Sequence, residues 1–154
     1  MWFEDIVIGS TRVLGTHAFS EDEIIAFAKK YDPQPFHIDR EAAKESIFGG
    51  IIASGWHTAC TWMRLGIEAR QREAAEGYAL QRAGVSPGFE NLRWLRPVRP
   101  GVALTYTSTV VETVELKSRP TLGLVKTKNE ARDAQGKLYM SFTGKGFVQR
   151  RPTD

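Results

Sequence analysis

At 154 residues, with 42% hydrophobic and 25% charged side chains, the chain has the size and composition of one water-soluble domain (residues 1–154) with its own core. Its net charge of +3 (21 basic against 18 acidic) is too small for a nucleic-acid-binding surface, and a single cysteine, Cys60, excludes an intrachain disulfide. No stretch approaches the roughly 18 apolar residues of a membrane helix; Met1-Trp2-Phe3 runs straight into Glu4 and Asp5 without a leader-like pattern, so a cytoplasmic protein is expected.

Residues 12–19 alternate weakly, with Val13, Gly15, His17 and Phe19 on one face, and predict a first strand. Ser20 then reads as an N-cap, with Glu23 completing a capping box and Phe19 and Ile24 at the spacing of a hydrophobic staple. Ile24, Phe27, Ala28 and Tyr31 form the apolar stripe of a short helix that Pro33 ends. Pro33 and Pro35 predict a stiff loop, Asp39 caps a second short helix over 40–46, and Gly49-Gly50 stops it.

The next helix is long, from about Ser54 to Glu76. Trp56, Ala59, Cys60, Met63 and Ile67 form one apolar stripe, and Trp62, Leu65 and Ala69 belong to another. A helix apolar on most sides needs protein around it. Gly77 to Gly88 reads as a loop. Phe89–Leu95, Val102–Leu116, Leu122–Arg132 and Leu138–Gln149 are rich in Val, Thr, Phe and Tyr and joined by short turns, which predicts an antiparallel sheet. The class is α+β: one sheet wrapped around one long helix, the hot-dog arrangement. A single copy leaves one side of the helix and a sheet edge open, so a homodimer is expected.

Asp32 and His37 lie five residues apart across two prolines, where a bent loop lets carboxylate and imidazole converge and hold a water. The same residues also fit a helix-ending Asp beside a half-buried His. Gly55, at the opening of the long helix, offers a free N–H to a developing oxyanion; Ser54-Gly55 equally fits a plain N-cap. His57 reads as a satisfied core histidine, and burial in the apolar helix argues against a Cys60–His57 nucleophile. His17, His37 and His57 with Asp32 or Asp39 show no metal-ligand spacing, and Trp94 reads as core. Arg93, Arg96 and Arg99 form a basic cluster that is either a solvated rim or a phosphate contact.

Asp32-Pro33-Gln34-Pro35-Phe36-His37 resembles the Asp-x-Asn-Pro-(aliphatic)-His motif of MaoC-like dehydratases and (R)-specific enoyl-CoA hydratases. The likeness continues through Phe48, the Ile52-Ala53-Ser54-Gly55 opening and Leu92 to Gly101. It implies a dimeric hot-dog protein acting on acyl-CoA thioesters, with no cofactor beyond the coenzyme A of the substrate. It implies syn addition of water to a trans-2-enoyl-CoA, with Asp32 and His37 activating the water and supplying the α-proton and Gly55 N–H holding the thioester oxygen. Gln34, Phe36, Ser54, Trp56, Arg93 and Arg96 are the expected substrate contacts. Gln34 stands where the family has Asn, Phe36 where it has an aliphatic residue, and Met63 where some members carry a helix serine, leaving Thr58 or Thr61 as substitutes. The alternatives are a non-catalytic acyl-CoA or acyl-carrier binding module and a hot-dog thioesterase.

Overall fold

A computed structural model describes residues 1–152. After a short 3-10 turn (Phe3–Asp5), the chain forms β1 (Thr11–Ala18), α1 (Glu21–Tyr31), α2 (Pro35–Ile38), α3 (Arg40–Glu45), α4 (Gly55–Ala75), β2 (Gly88–Trp94), β3 (Ala103–Glu115), β4 (Leu122–Arg132) and β5 (Leu138–Gln149). The five strands make one antiparallel sheet in the order β1-β3-β4-β5-β2. The sheet packs around α4, and the fold is the hot-dog expected. β1 and β2 are its two edges.

Ser20 caps α1 as expected, its hydroxyl accepting the Glu23 N–H at 3.2 Å. The reciprocal half of the capping box is not made. The Glu23 carboxylate turns instead to the Ser20 hydroxyl and to His17 on β1. Phe19 and Ile24 are both fully buried in the main core, whereas Tyr31, assigned to the same stripe, is exposed. Asp39 caps α3 through the N–H groups of Glu41 and Ala42.

α4 turns Thr58, Thr61, Leu65 and Ala69 to the sheet, a set spaced by three and four residues. Leu65 seats against Gly15, where β1 is bulged and φ is +152°. A Cβ there would stand 3.2 Å from Leu65 Cδ2, so glycine serves both the backbone angle and the helix's approach. Polar groups under the helix are paired. Tyr106 Oη donates to the Thr58 carbonyl at 3.1 Å, and Trp62 Nε1 donates to the fully buried Asn129 at 3.1 Å.

The stripe of Trp56, Cys60, Met63 and Ile67 is not enclosed. These residues are exposed and, with Phe89 and Leu92 of β2, wall an open apolar groove of about 660 Å³. This is the uncovered side of the helix anticipated for one copy, and it lies beside the β2 edge. Exposure of Cys60 removes burial as the reason against a Cys60–His57 pair. His57 is instead turned to α1, with its ring stacked on Phe27 at 4.5 Å.

Candidate active site

The site is assembled where α1 ends and α4 begins. Asp32 is the C-cap of α1, its N–H bonded to the Ala28 carbonyl, and Pro33 prevents the helix from continuing. The following residues are not wholly the stiff loop expected. Pro35 occupies the first position of a single helical turn, where its missing N–H costs nothing and its fixed φ favours the helix. That turn carries His37 inward, and His37 is buried.

His37 Nδ1 lies 2.6 Å from the Ile52 carbonyl. A carbonyl only accepts, so Nδ1 carries a proton and the other ring nitrogen is left for chemistry. That nitrogen, Nε2, stands 3.3 Å from Asp32 Oδ2. The two residues therefore converge, as one of the two readings of their spacing required.

Asp32 is held by donors on both oxygens. Gln34 Nε2 donates to Oδ1 at 2.7 Å, and Ser54 Oγ donates to Oδ2 at 2.7 Å. Burial pushes the Asp32 carboxyl upward, but Ser54, Gln34 and His37 together outweigh it and hold it below its usual range. Gln34, expected to touch substrate, is thus a brace for Asp32. Ser54 is fully buried and makes no side-chain cap on α4; its hydroxyl is committed to Asp32. Ser54 does hold the N-cap position of α4, but its hydroxyl makes no capping bond because it has a stronger acceptor in the carboxylate.

Beside this pair lies a cavity of about 260 Å³, walled by His37, Phe48, Ile52, Ala53, Gly55, Thr58, Trp94, Tyr139 and the 95–98 segment. Gly55 is the first residue of α4, so its N–H lies among those the helix leaves without an internal partner. An ideal Cβ on Gly55 would come within 3.0 Å of three indole atoms of Trp94. Trp94 is therefore not core. It is 44% exposed and lies over Gly55, with its ring edge-on to Trp56 at 5.2 Å.

Of the other expected contacts, Arg96 borders the cavity. Arg93 is exposed and outside the lining, since strand side chains alternate and Leu92 and Trp94 take the helix side of β2. Phe36 packs edge-on to Phe48 and His37 and braces the imidazole rather than lining the cavity. Trp56 lines the apolar groove. Thr58 does reach the site, its hydroxyl donating to the Gly55 carbonyl at 2.6 Å, while Thr61 bonds back to the His57 carbonyl. Sequence reasoning missed Trp94 and Tyr139 as walls; both sit on strands, where an aromatic signals packing before function.

His57 is buried but not satisfied. Among the described residues its Nδ1 has no hydrogen-bond partner, and Nε2 is 3.6 Å from Glu23. Burial lowers its basicity, which Glu23 only partly offsets. Among the described residues no cluster of three or more His, Cys, Asp or Glu is arranged to hold a metal ion, and no helix is long and apolar enough to cross a membrane.

The model of the MaoC like domain matches residues 8–133, which include the Asp32–His37 pair, Gly55 and Trp94. The chain belongs to the MaoC-like dehydratase family. This MaoC-like chain is 37% identical to a MaoC-like dehydratase of Rhodospirillum rubrum, with a TM-score of 0.83 over 99% of both chains. It is 30% identical to the uncharacterized protein YdeM of Bacillus subtilis, over 81% of this chain and 82% of that one. It is 33% identical over 72 residues to the mesaconyl-CoA hydratase of Haloarcula marismortui, covering 46% of this chain and 20% of that protein.

Proposed function

We propose that this MaoC-like protein is a hydratase/dehydratase that adds water reversibly to trans-2-enoyl-CoA thioesters, giving (R)-3-hydroxyacyl-CoA. The observation that carries the reading is the Asp32–His37 pair at 3.3 Å, with His37 and Gly55, the first residue of α4, lining one small cavity. Relatedness to a CoA-thioester hydratase supports it.

In the proposed step, the thioester oxygen rests on Gly55 N–H, which strengthens its hold as the oxygen gains enolate charge. The water oxygen adds to C3 as its O–H bond breaks and the proton passes to His37 Nε2. The resulting imidazolium faces the ionised Asp32, which stabilises it as a fixed counter-charge. The same nitrogen then gives its proton to C2 as the enolate collapses. Hydroxyl and proton thus come from one water on one face, and both residues return to their starting states. The two donors on Asp32, Gln34 and Ser54, make it a weak base and a good anchor, so His37 is the proton carrier.

Arg96, exposed at the cavity border, serves the anionic CoA portion. A second copy of the chain would cover the apolar groove and pair with the β2 edge beside it, and a homodimer is part of the proposal.

The test is the conjugated absorbance of crotonyl-CoA with a parallel thiol assay. Hydration removes the band without releasing thiol. Asp32→Asn and His37→Ala each lower the rate by about 10²–10⁴-fold, as loss of acid–base function does. Near-wild-type hydration in either variant refutes the mechanism, and thiol release favours a thioesterase.

A further inference from the structure

The geometry points to Trp94 as the residue that limits acyl-chain length, making this a site for short-chain acyl thioesters. This inference rests on the acyl-thioester reading above. Three observations carry it.

First, the space that glycine leaves at the opening of α4 is already taken. A Cβ at Gly55 would collide with the Trp94 indole, so the ring lies directly on the backbone where the thioester is to bind. Second, the cavity is small. Its 260 Å³ falls below the roughly 300–1,000 Å³ of pockets that enclose drug-sized ligands, so an enoyl head group fits and a long chain does not. Third, a much larger apolar volume lies next door and is closed off. The cavity and the 660 Å³ groove have no lining residue in common, and the Trp94–Trp56 contact stands between them. Trp94 lines the cavity and Trp56 lines the groove. The indole is thus a wall whose removal enlarges the cavity by the space the ring itself fills, with a second copy on the groove or without one.

Trp94 closes β2, paired with Met140 of β5, and its position is fixed by the sheet rather than by a loop. A wall on a regular element holds a size limit better than one on a flexible segment.

The experiment measures binding of saturated butanoyl-, hexanoyl-, octanoyl- and decanoyl-CoA by calorimetry, alongside hydration of the matching 2-enoyl-CoAs. In the wild type, affinity stops rising beyond the short chains, because further methylenes find no pocket. In Trp94→Ala, affinity continues to rise with length, approaching about fourfold per buried methylene, and the octenoyl-to-crotonyl ratio of kcat/KM rises with it. Trp94→Phe gives an intermediate profile and stands in if the alanine variant does not fold. Wild-type affinity that climbs steadily to decanoyl overturns the proposal. So does a variant in which every length changes by the same factor, which would place the indole against the CoA portion. Absence of crotonyl-CoA hydration together with the length-dependent binding profile refutes the hydratase reading and upholds the Trp94 assignment. Crotonyl-CoA hydration together with a length profile that Trp94→Ala leaves unchanged does the reverse.

Discussion

Replacing Ser54 by Ala removes one hydroxyl, yet it tests the logic of the whole site. Ser54 Oγ donates to Asp32 Oδ2 at 2.7 Å, from a fully buried residue to a carboxylate that is mostly shielded. Hydrogen bonds to charged groups contribute about 1.5–3 kcal/mol, and partial solvent access to Asp32 places the loss near the lower end, at about 1.5 kcal/mol. The sign of the pH dependence follows from Asp32. Its folded-state pKa is depressed below 3.8, so its contribution to stability is present above that value and lost as pH falls through the folded pKa. Without Ser54 the depression shrinks. The gap between wild type and variant is therefore full at pH 7 and closes under acid conditions. Urea unfolding at neutral and acid pH reads the gap, and crotonyl-CoA hydration reads the site. A loosened Asp32 is a poorer partner for the imidazolium, so kcat falls about tenfold, a loss of about 1.4 kcal/mol of barrier stabilisation. Equal stability at both pH values together with an unchanged kcat would show that the bond does not hold the carboxylate.

Two other perturbations probe the same region. Gly55→Ala keeps the backbone N–H but drives a methyl group into the Trp94 indole, costing about 1–3 kcal/mol of overpacking against about 1 kcal/mol gained from helix propensity. In a Trp94→Ala background the same change becomes neutral or stabilising, and a double-mutant cycle with no coupling would refute the contact. His57→Phe preserves the stack on Phe27 and removes the buried, unpartnered Nδ1, so thermal denaturation at pH 7 should show a gain of about 1 kcal/mol. Burial depresses the folded-state pKa of His57 below 6.5, so wild-type stability falls as pH drops through that value and the variant's advantage widens; a constant difference from pH 7.5 to 5 would contradict this.

What the sequence made legible is what local chemistry decides. The Ser20 and Asp39 caps, the stop at Pro33 and the long helix from Gly55 all follow from side chains acting within one turn of themselves. Asp32 and His37 fit both readings of their spacing: Asp32 does end α1, and it also meets His37, whose ring Ile52 fixes from fifteen residues away, a contact no local pattern shows. Where the reading failed, a distant partner won. The Glu23 carboxylate takes His17 as a second partner beside Ser20, and the Ser54 hydroxyl turns from its cap position to Asp32, each drawn to a charged or titratable group that the local pattern could not reveal. Trp94 was misread because edge strands carry aromatics for packing and for pockets alike. The helical turn at Pro35 had a usable signal in proline's preference for a first helical position.

The bonds that shape the site are short in sequence. Ser54 reaches Asp32 across 22 residues and His37 reaches Ile52 across 15, whereas β1 meets β3 across 98. Short loops close at lower entropic cost than long ones, and contacts between near neighbours form faster. The carboxylate, the imidazole and the helix opening therefore belong to one segment that is able to find its geometry before β1 has met β3. The back wall, Trp94 and Tyr139, comes from β2 and β5 rather than from the segment that holds the reactive groups. The reactive groups are thus tied together within one short stretch of chain, and the wall that bounds their cavity is contributed by strands further along it.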